Sequence, residues 1–166
     1  MYLLDTTHCS RLLQGHPEVT RKLQQLGDVF VATCAIVCGE LIFMAHKSQC
    51  RDENLRRVQE FFGDIQVYPV DEQTADIYGR LKCAILDRFG PREKAKRRKA
   101  RTDKLGFSEN DLWIAAIAKQ HRLTVVSADG DFRRMREAAD VSLETWLSAE
   151  FHHFLTDRID QDEKEP

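Results

Sequence analysis

Short apolar-rich runs, Tyr2-Leu3-Leu4, Val29-Phe30-Val31-Ala32, Ile65-Gln66-Val67-Tyr68 and Leu123-Thr124-Val125-Val126-Ser127, alternate with longer stretches whose apolar residues recur at helical spacing. The pattern predicts an α/β fold. Helices are expected as one unit across residues 10–13 and 19–26, then from a cap at Thr33 to residue 45, then over 53–62. Others are expected over 74–86, stopped by Gly90-Pro91, over 111–120, and through 132–135. Residues 141–146 add a short strand or turn that packs Trp146 on the core.

With 166 residues, 42% hydrophobic and 31% charged, the chain fits one globular domain over 1–147. Two segments stand apart from that domain. Residues 88–107 form a basic insert with nine Lys and Arg against Glu93 and Asp103, a local charge of +7 in a chain of net charge −2. Residues 148–166 form a carboxy-terminal extension whose acidic end is expected to be disordered. No apolar stretch approaches the roughly 20 residues of a membrane span, and no secretory signal pattern opens the chain, so a cytoplasmic protein without membrane contact is expected. Five cysteines at irregular spacing fit reduced thiols. Cys34 and Cys38 lie four apart, but in an apolar segment without a second pair, and are read as core residues rather than zinc ligands.

Four acidic residues occupy places that carboxylates avoid: Asp5 after the first strand, Glu40 in Ile36-Val37-x-x-Glu40-Leu41-Ile42-Phe43, Asp111 before Leu112-Trp113-Ile114, and Asp129 after the strand ending at Val126. Ionised groups there need an offsetting charge, so several together argue for a bound cation or raised pKa values. Each also has a local explanation. Asp5 and Asp129 could close a turn or cap a helix, and Ser108-Glu109-Asn110-Asp111 matches the S-x-x-D capping pattern. Glu40 resists that account, because positions three and four away are Ile36, Val37, Phe43 and Met44. Parallel sheets bind ligands at the carboxyl ends of their strands, the rim on which Asp5 and Asp129 fall.

Leu3-Leu4-Asp5-Thr6, the glutamate in a following helix, Asn110-Asp111-Leu112-Trp113-Ile114-Ala115-Ala116 and Val125-Val126-Ser127-Ala128-Asp129-Gly130-Asp131-Phe132 together resemble PIN-domain ribonucleases. Val67-Tyr68-Pro69-Val70-Asp71, leading into the helix of Ala75 and Tyr78, extends the likeness, which runs from Tyr2 to Trp146. The chain is most similar to VapC-type toxins of bacterial toxin–antitoxin pairs. The resemblance implies a three-layer α/β/α sandwich around a mainly parallel central sheet, and metal-dependent endoribonuclease activity with Mg²⁺ or Mn²⁺ as cofactor. It assigns Asp5, Glu40, Asp111 and Asp129 as catalytic and metal-binding, with Asp131 an additional metal-binding acid and Thr6, Asn110 and Ser127 beside the metal. It implies RNA as substrate, a cognate antitoxin protein as partner and a homodimer. A non-catalytic PIN-like scaffold that binds RNA or a protein is the alternative.

An all-oxygen donor set suits Mg²⁺ or Mn²⁺. On this reading Asp5 and Asp129 hold a first ion, Asp111 helps directly or through water, and Glu40 either completes a second site or orients the attacking water. Arg92, Lys96, Arg97, Arg98, Lys99 and Arg101 of the insert are expected to grip the RNA backbone, since phosphate contacts release counterions. Other chemistries lack their residues. A haloacid-dehalogenase phosphatase needs a second Asp where Thr7 stands, and a dinucleotide site needs a glycine-rich turn where Thr6-Thr7-His8-Cys9 stands. The six histidines are scattered and expected mostly at the surface.

Overall fold

The structure, a computed structural model, describes residues 1–27 and 29–147. Five parallel strands, β1 (Tyr2–Leu4), β2 (Val31–Cys34), β3 (Gln66–Tyr68), β4 (Thr124–Val126) and β5 (Leu143–Glu144), form one sheet in the order β3-β2-β1-β4-β5. Tyr2 pairs with Val31 on one side and with Thr124 on the other. Among the described residues, eight α-helices accompany the sheet. One group comprises α1 (Thr6–Leu13), α2 (Pro17–Leu26), α3 (Ala35–Lys47) and α4 (Arg51–Asp64); the other comprises α5 (Glu72–Phe89), α7 (Glu109–Gln120) and α8 (Gly130–Ala139), with the four-residue α6 (Lys94–Arg97) in the basic insert. No helix among the described residues is long and apolar enough to cross a membrane. The carboxy-terminal extension expected to be disordered lies outside the described residues.

The sheet is apolar through its thickness. Leu3, Leu4, Val125 and Val126 are fully buried, as strands covered on both faces must be. Helix α7 is buried nearly all round, through Leu112, Ile114, Ala115, Ala116, Ile117 and Ala118, and so sits in the core rather than over it.

Two local expectations are corrected. The helix expected across residues 10–26 is two helices, and the first begins at Thr6, directly after Asp5. Gly15 takes the left-handed φ of 69° that ends α1, and Pro17 then opens α2 where a missing N–H costs nothing. Thr33 does not cap α3. It is fully buried inside β2, where its hydroxyl donates to the Leu4 carbonyl at 3.2 Å and ties β2 to β1.

Candidate metal centre

The strand order reverses between β1 and β4, which leaves a crevice beyond their carboxyl ends. Asp5 leaves β1 into that crevice, its backbone N–H donating to the Val126 carbonyl at 3.2 Å. Asp5 is 5% exposed and caps α1, and its Oδ1 accepts from the His8 backbone N–H at 2.7 Å. Asp129 follows β4 and caps α8, accepting from the Asp131 backbone at 2.7 Å. The local explanation of these two acids is therefore true, and it leaves each a second oxygen for other work. Ser127, buried under this turn, accepts from the Asp129 backbone N–H at 3.0 Å and fixes how the acid leaves the strand.

Asp111 does not behave as the S-x-x-D pattern suggests. Ser108 is the N-cap of α7 but makes no side-chain capping bond, and its backbone N–H is taken at 2.9 Å by Asp131 from across the crevice. Asp111 is freed to face the other acids. Ligand oxygens of Asp111, Asp129 and Asp131 all lie within 4.8 Å of one another, close enough to converge on one cation. Burial, followed by the charges of Asp129, Asp131, Asp5 and Glu40, pushes the Asp111 carboxyl up to about 7. Asp5 and Glu40 thus act on Asp111 electrostatically, while Asp131 joins the tight group.

Glu40 is held from both sides: the Thr6 hydroxyl donates to Oε2 and the Asn110 amide to Oε1. These bonds account for its position better than an apolar helix face does. On α3 the buried stripe is Val37, Leu41 and Ala45, whereas Phe43 and Met44 are 61% and 48% exposed. Glu40 flanks that stripe.

The basic insert divides into tied and free cations. Arg97 donates to Asp87 at 2.8 Å and to the Pro91 and Arg92 carbonyls, so it latches the insert onto α5. Lys96 pairs with Glu93, and Arg101 with Asp103. Arg92, Arg98 and Lys99 are exposed, with no ion pair from their side chains among the described residues. Without an apolar stripe to dock it, the insert forms only the single turn α6 and a 3₁₀ turn at Asp103–Leu105.

Three features escape the sequence reading. His8, one of six histidines expected mostly at the surface, is fully buried against Asp5. Arg134 donates to the Leu105 carbonyl at 2.8 Å and the Gly106 carbonyl at 3.4 Å, lies 4.0 Å over the Phe107 ring and faces Asp131 at 3.5 Å. It anchors the exit of the insert beside the acids. Glu109 accepts from Lys82 at 2.7 Å, from Tyr78 and from Thr102, while Tyr78 stacks on Trp113 at 3.8 Å. That network fixes the first turn of α7, from which Asn110 and Asp111 project. Only His8 left a signal, since it stands three residues after an N-cap acid, where side chains reach back to the cap. Cys34 and Cys38 are free thiols that burial raises to about 11, in keeping with core residues rather than metal ligands.

The PIN domain family model matches residues 2–138. Ribonuclease VapC5 of Mycobacterium tuberculosis is 29% identical over 116 residues, covering 68% of this chain and 74% of that protein. The tRNA(fMet)-specific endonuclease VapC of Salmonella typhimurium is 24% identical over 145 residues, covering 87% of this chain and 97% of that protein. Among solved structures, DNA-bound VapBC from Salmonella typhimurium superposes with a TM-score of 0.69 at 24% identity, over 88% of this chain and 98% of that one, a likeness of fold. With the family model spanning most of its length, this chain belongs to the PIN domain family.

Proposed function

We propose that this protein is a metal-dependent endoribonuclease, the toxin of a toxin–antitoxin pair. The observation that carries the reading is the convergence of Asp111, Asp129 and Asp131 within 4.8 Å at the crevice between β1 and β4, with Asp5 and Glu40 beside them. So dense a set of acids, one driven up to about 7, is under-neutralised until a cation enters. The donors are all carboxylate oxygens, which fits Mg²⁺ or Mn²⁺. Asp111, Asp129 and Asp131 would hold the ion, with Asp5 completing the set. A bound ion supplies a Lewis acid that polarises the scissile phosphate and lowers the pKa of an attacking water. Glu40, fixed by Thr6 and Asn110, is placed to orient that water and accept its proton. Arg92, Arg98 and Lys99 contact RNA phosphates, and Arg97 positions them.

The partner proteins of the relatives support the same reading. VapBC complexes are toxin–antitoxin assemblies by the resemblance already drawn, and this chain carries an apolar surface close to its acids: Ile42, Phe43 and Met44 of α3 are 38%, 61% and 48% exposed. Clustered exposed hydrophobics mark a protein-binding surface. An antitoxin segment, or a second copy of this chain, would cover it.

The deciding experiment is cleavage of RNA by purified protein with Mg²⁺ or Mn²⁺ supplied and then chelated. Cleavage that stops with chelator and falls about a hundredfold in Asp5→Asn is expected. RNA left intact at every metal concentration would show a non-catalytic scaffold. Neutralising Arg98 and Lys99 together to Gln should weaken RNA binding and make its logarithmic salt slope shallower by roughly 1.4 units, since about two phosphate contacts are lost. An unchanged slope would mean that the insert does not touch RNA.

A further inference from the structure

Capping of α1 by Asp5 requires only the His8 backbone N–H, which lies 2.7 Å from Asp5 Oδ1. Yet the His8 ring adds a second bond, Nδ1 to the same Oδ1 at 2.8 Å. The ring bond satisfies no helix donor, so capping does not explain it. Nor does packing, because a polar ring with no exposed surface is costly where an apolar side chain would be cheaper. Nε2 has no hydrogen-bond partner among the described residues, so the ring's polar contact runs to Asp5 alone. Trp146 stands edge-on to the ring with centroids 6.4 Å apart and restricts its tilt.

We propose that His8 is a positioning residue of the metal centre: ring and backbone together grip Asp5 by Oδ1 and so present Oδ2 to the cation. The inference rests on Asp5 being a metal ligand, as read above. A carboxylate oxygen accepts, so the ring proton sits on Nδ1. Turning the Asp5 carboxylate would break both bonds at once. The arrangement matches a general feature of metal sites, in which hydrogen bonds to the ligating groups set their orientation and changes there alter affinity by about 10–100-fold.

Mn²⁺ titration of the full-length apo protein, followed through the electron paramagnetic resonance of free Mn²⁺, tests this without using activity. H8F keeps the volume and deletes the donor; H8N loses volume but places an amide nitrogen near the Nδ1 position. H8F should weaken Mn²⁺ binding about tenfold, and H8N should stay within about threefold of the unaltered protein. A packing role predicts the reverse order and would overturn the proposal. If D5N weakens Mn²⁺ binding while H8F does not, His8 does not position the ligand, and Asp5 remains one. If D5N itself leaves binding unchanged, Asp5 is no ligand and the proposal falls with that reading. Should H8F fail to fold, the ring ¹⁵N resonances of the unaltered protein still decide: a proton on Nδ1 is expected, and a ring protonated at Nε2 alone overturns the proposal.

Discussion

Replacing Asp111 by Asn should lower metal-dependent RNA cleavage by about 10³-fold, the scale of several kcal/mol of lost charge stabilisation, while making the metal-free protein more stable. Both effects come from one cause. The carboxyl ordinarily titrates near 3.8 but is pushed up to about 7 by burial and by its acidic neighbours. Between those two values the folded metal-free protein keeps a proton that the unfolded chain has released. Its stabilising contribution is therefore complete below about 3.8 and is lost as pH rises through about 7. At pH 8 the ionised carboxyl opposes folding, and D111N relieves on the order of 2 kcal/mol of that strain, a rise in melting temperature of roughly 5 °C. Thermal melts of chelated protein from pH 4 to 8 check this directly. The melting temperature should fall with pH in the parent protein and fall less in D111N; parallel curves would remove Asp111 from the cluster. A divalent cation must also displace that proton, so metal affinity should rise with pH up to about 7.

Arg134→Met should cost about 2–3 kcal/mol, because a single side chain satisfies the Leu105 and Gly106 carbonyls, covers the Phe107 ring and faces Asp131. The ion pair with Asp131 adds little, since the arginine is 38% exposed. The larger share comes from the Leu105 carbonyl and the aromatic contact. Met keeps the stem and loses the planar fork, and Lys restores the charge without the geometry, so R134K should recover only part of the loss. Urea denaturation of the metal-free protein measures it. A midpoint within error of the parent would show that the insert's exit is held by Phe107 and backbone alone.

The fold was legible because short apolar strands separated by helical stretches admit few arrangements. Every strand position was placed to within two residues, and Tyr2–Leu4 matched fully. The misplaced boundaries have local causes. Thr33 has the composition of a cap, but a buried hydroxyl can instead bridge two strands, a contact set by tertiary packing. The break at Gly15 and Pro17 stood in the sequence as punctuation, and the apolar spacing on either side masked it. In the candidate site, the acids were visible because each interrupts an apolar run. Their division of labour was not. Asp131 reads as a helix-start residue until the Ser108 N–H and the other acids are brought across the crevice, and Asp111 reads as a cap until that same N–H is taken by Asp131. Residues that act through others, such as Arg134 and Glu109, leave little trace in a single sequence, because their partners are up to 31 residues away along the chain.

The strand order has a temporal consequence. β1 completes its pairing only when Thr124 reaches Tyr2, and the acids come from β1, α3, α7 and the turn after β4. Contacts so distant in sequence form late and slowly during folding. On a ribosome, the chain up to α6 has Asp5 and Glu40 but none of the three acids that converge most tightly. On the proposed function, a nuclease built this way would be unable to cut RNA while it is being made: its activity would appear only when the carboxy-terminal third has emerged and docked, which would give a neutralising partner a window during synthesis in which to arrive first.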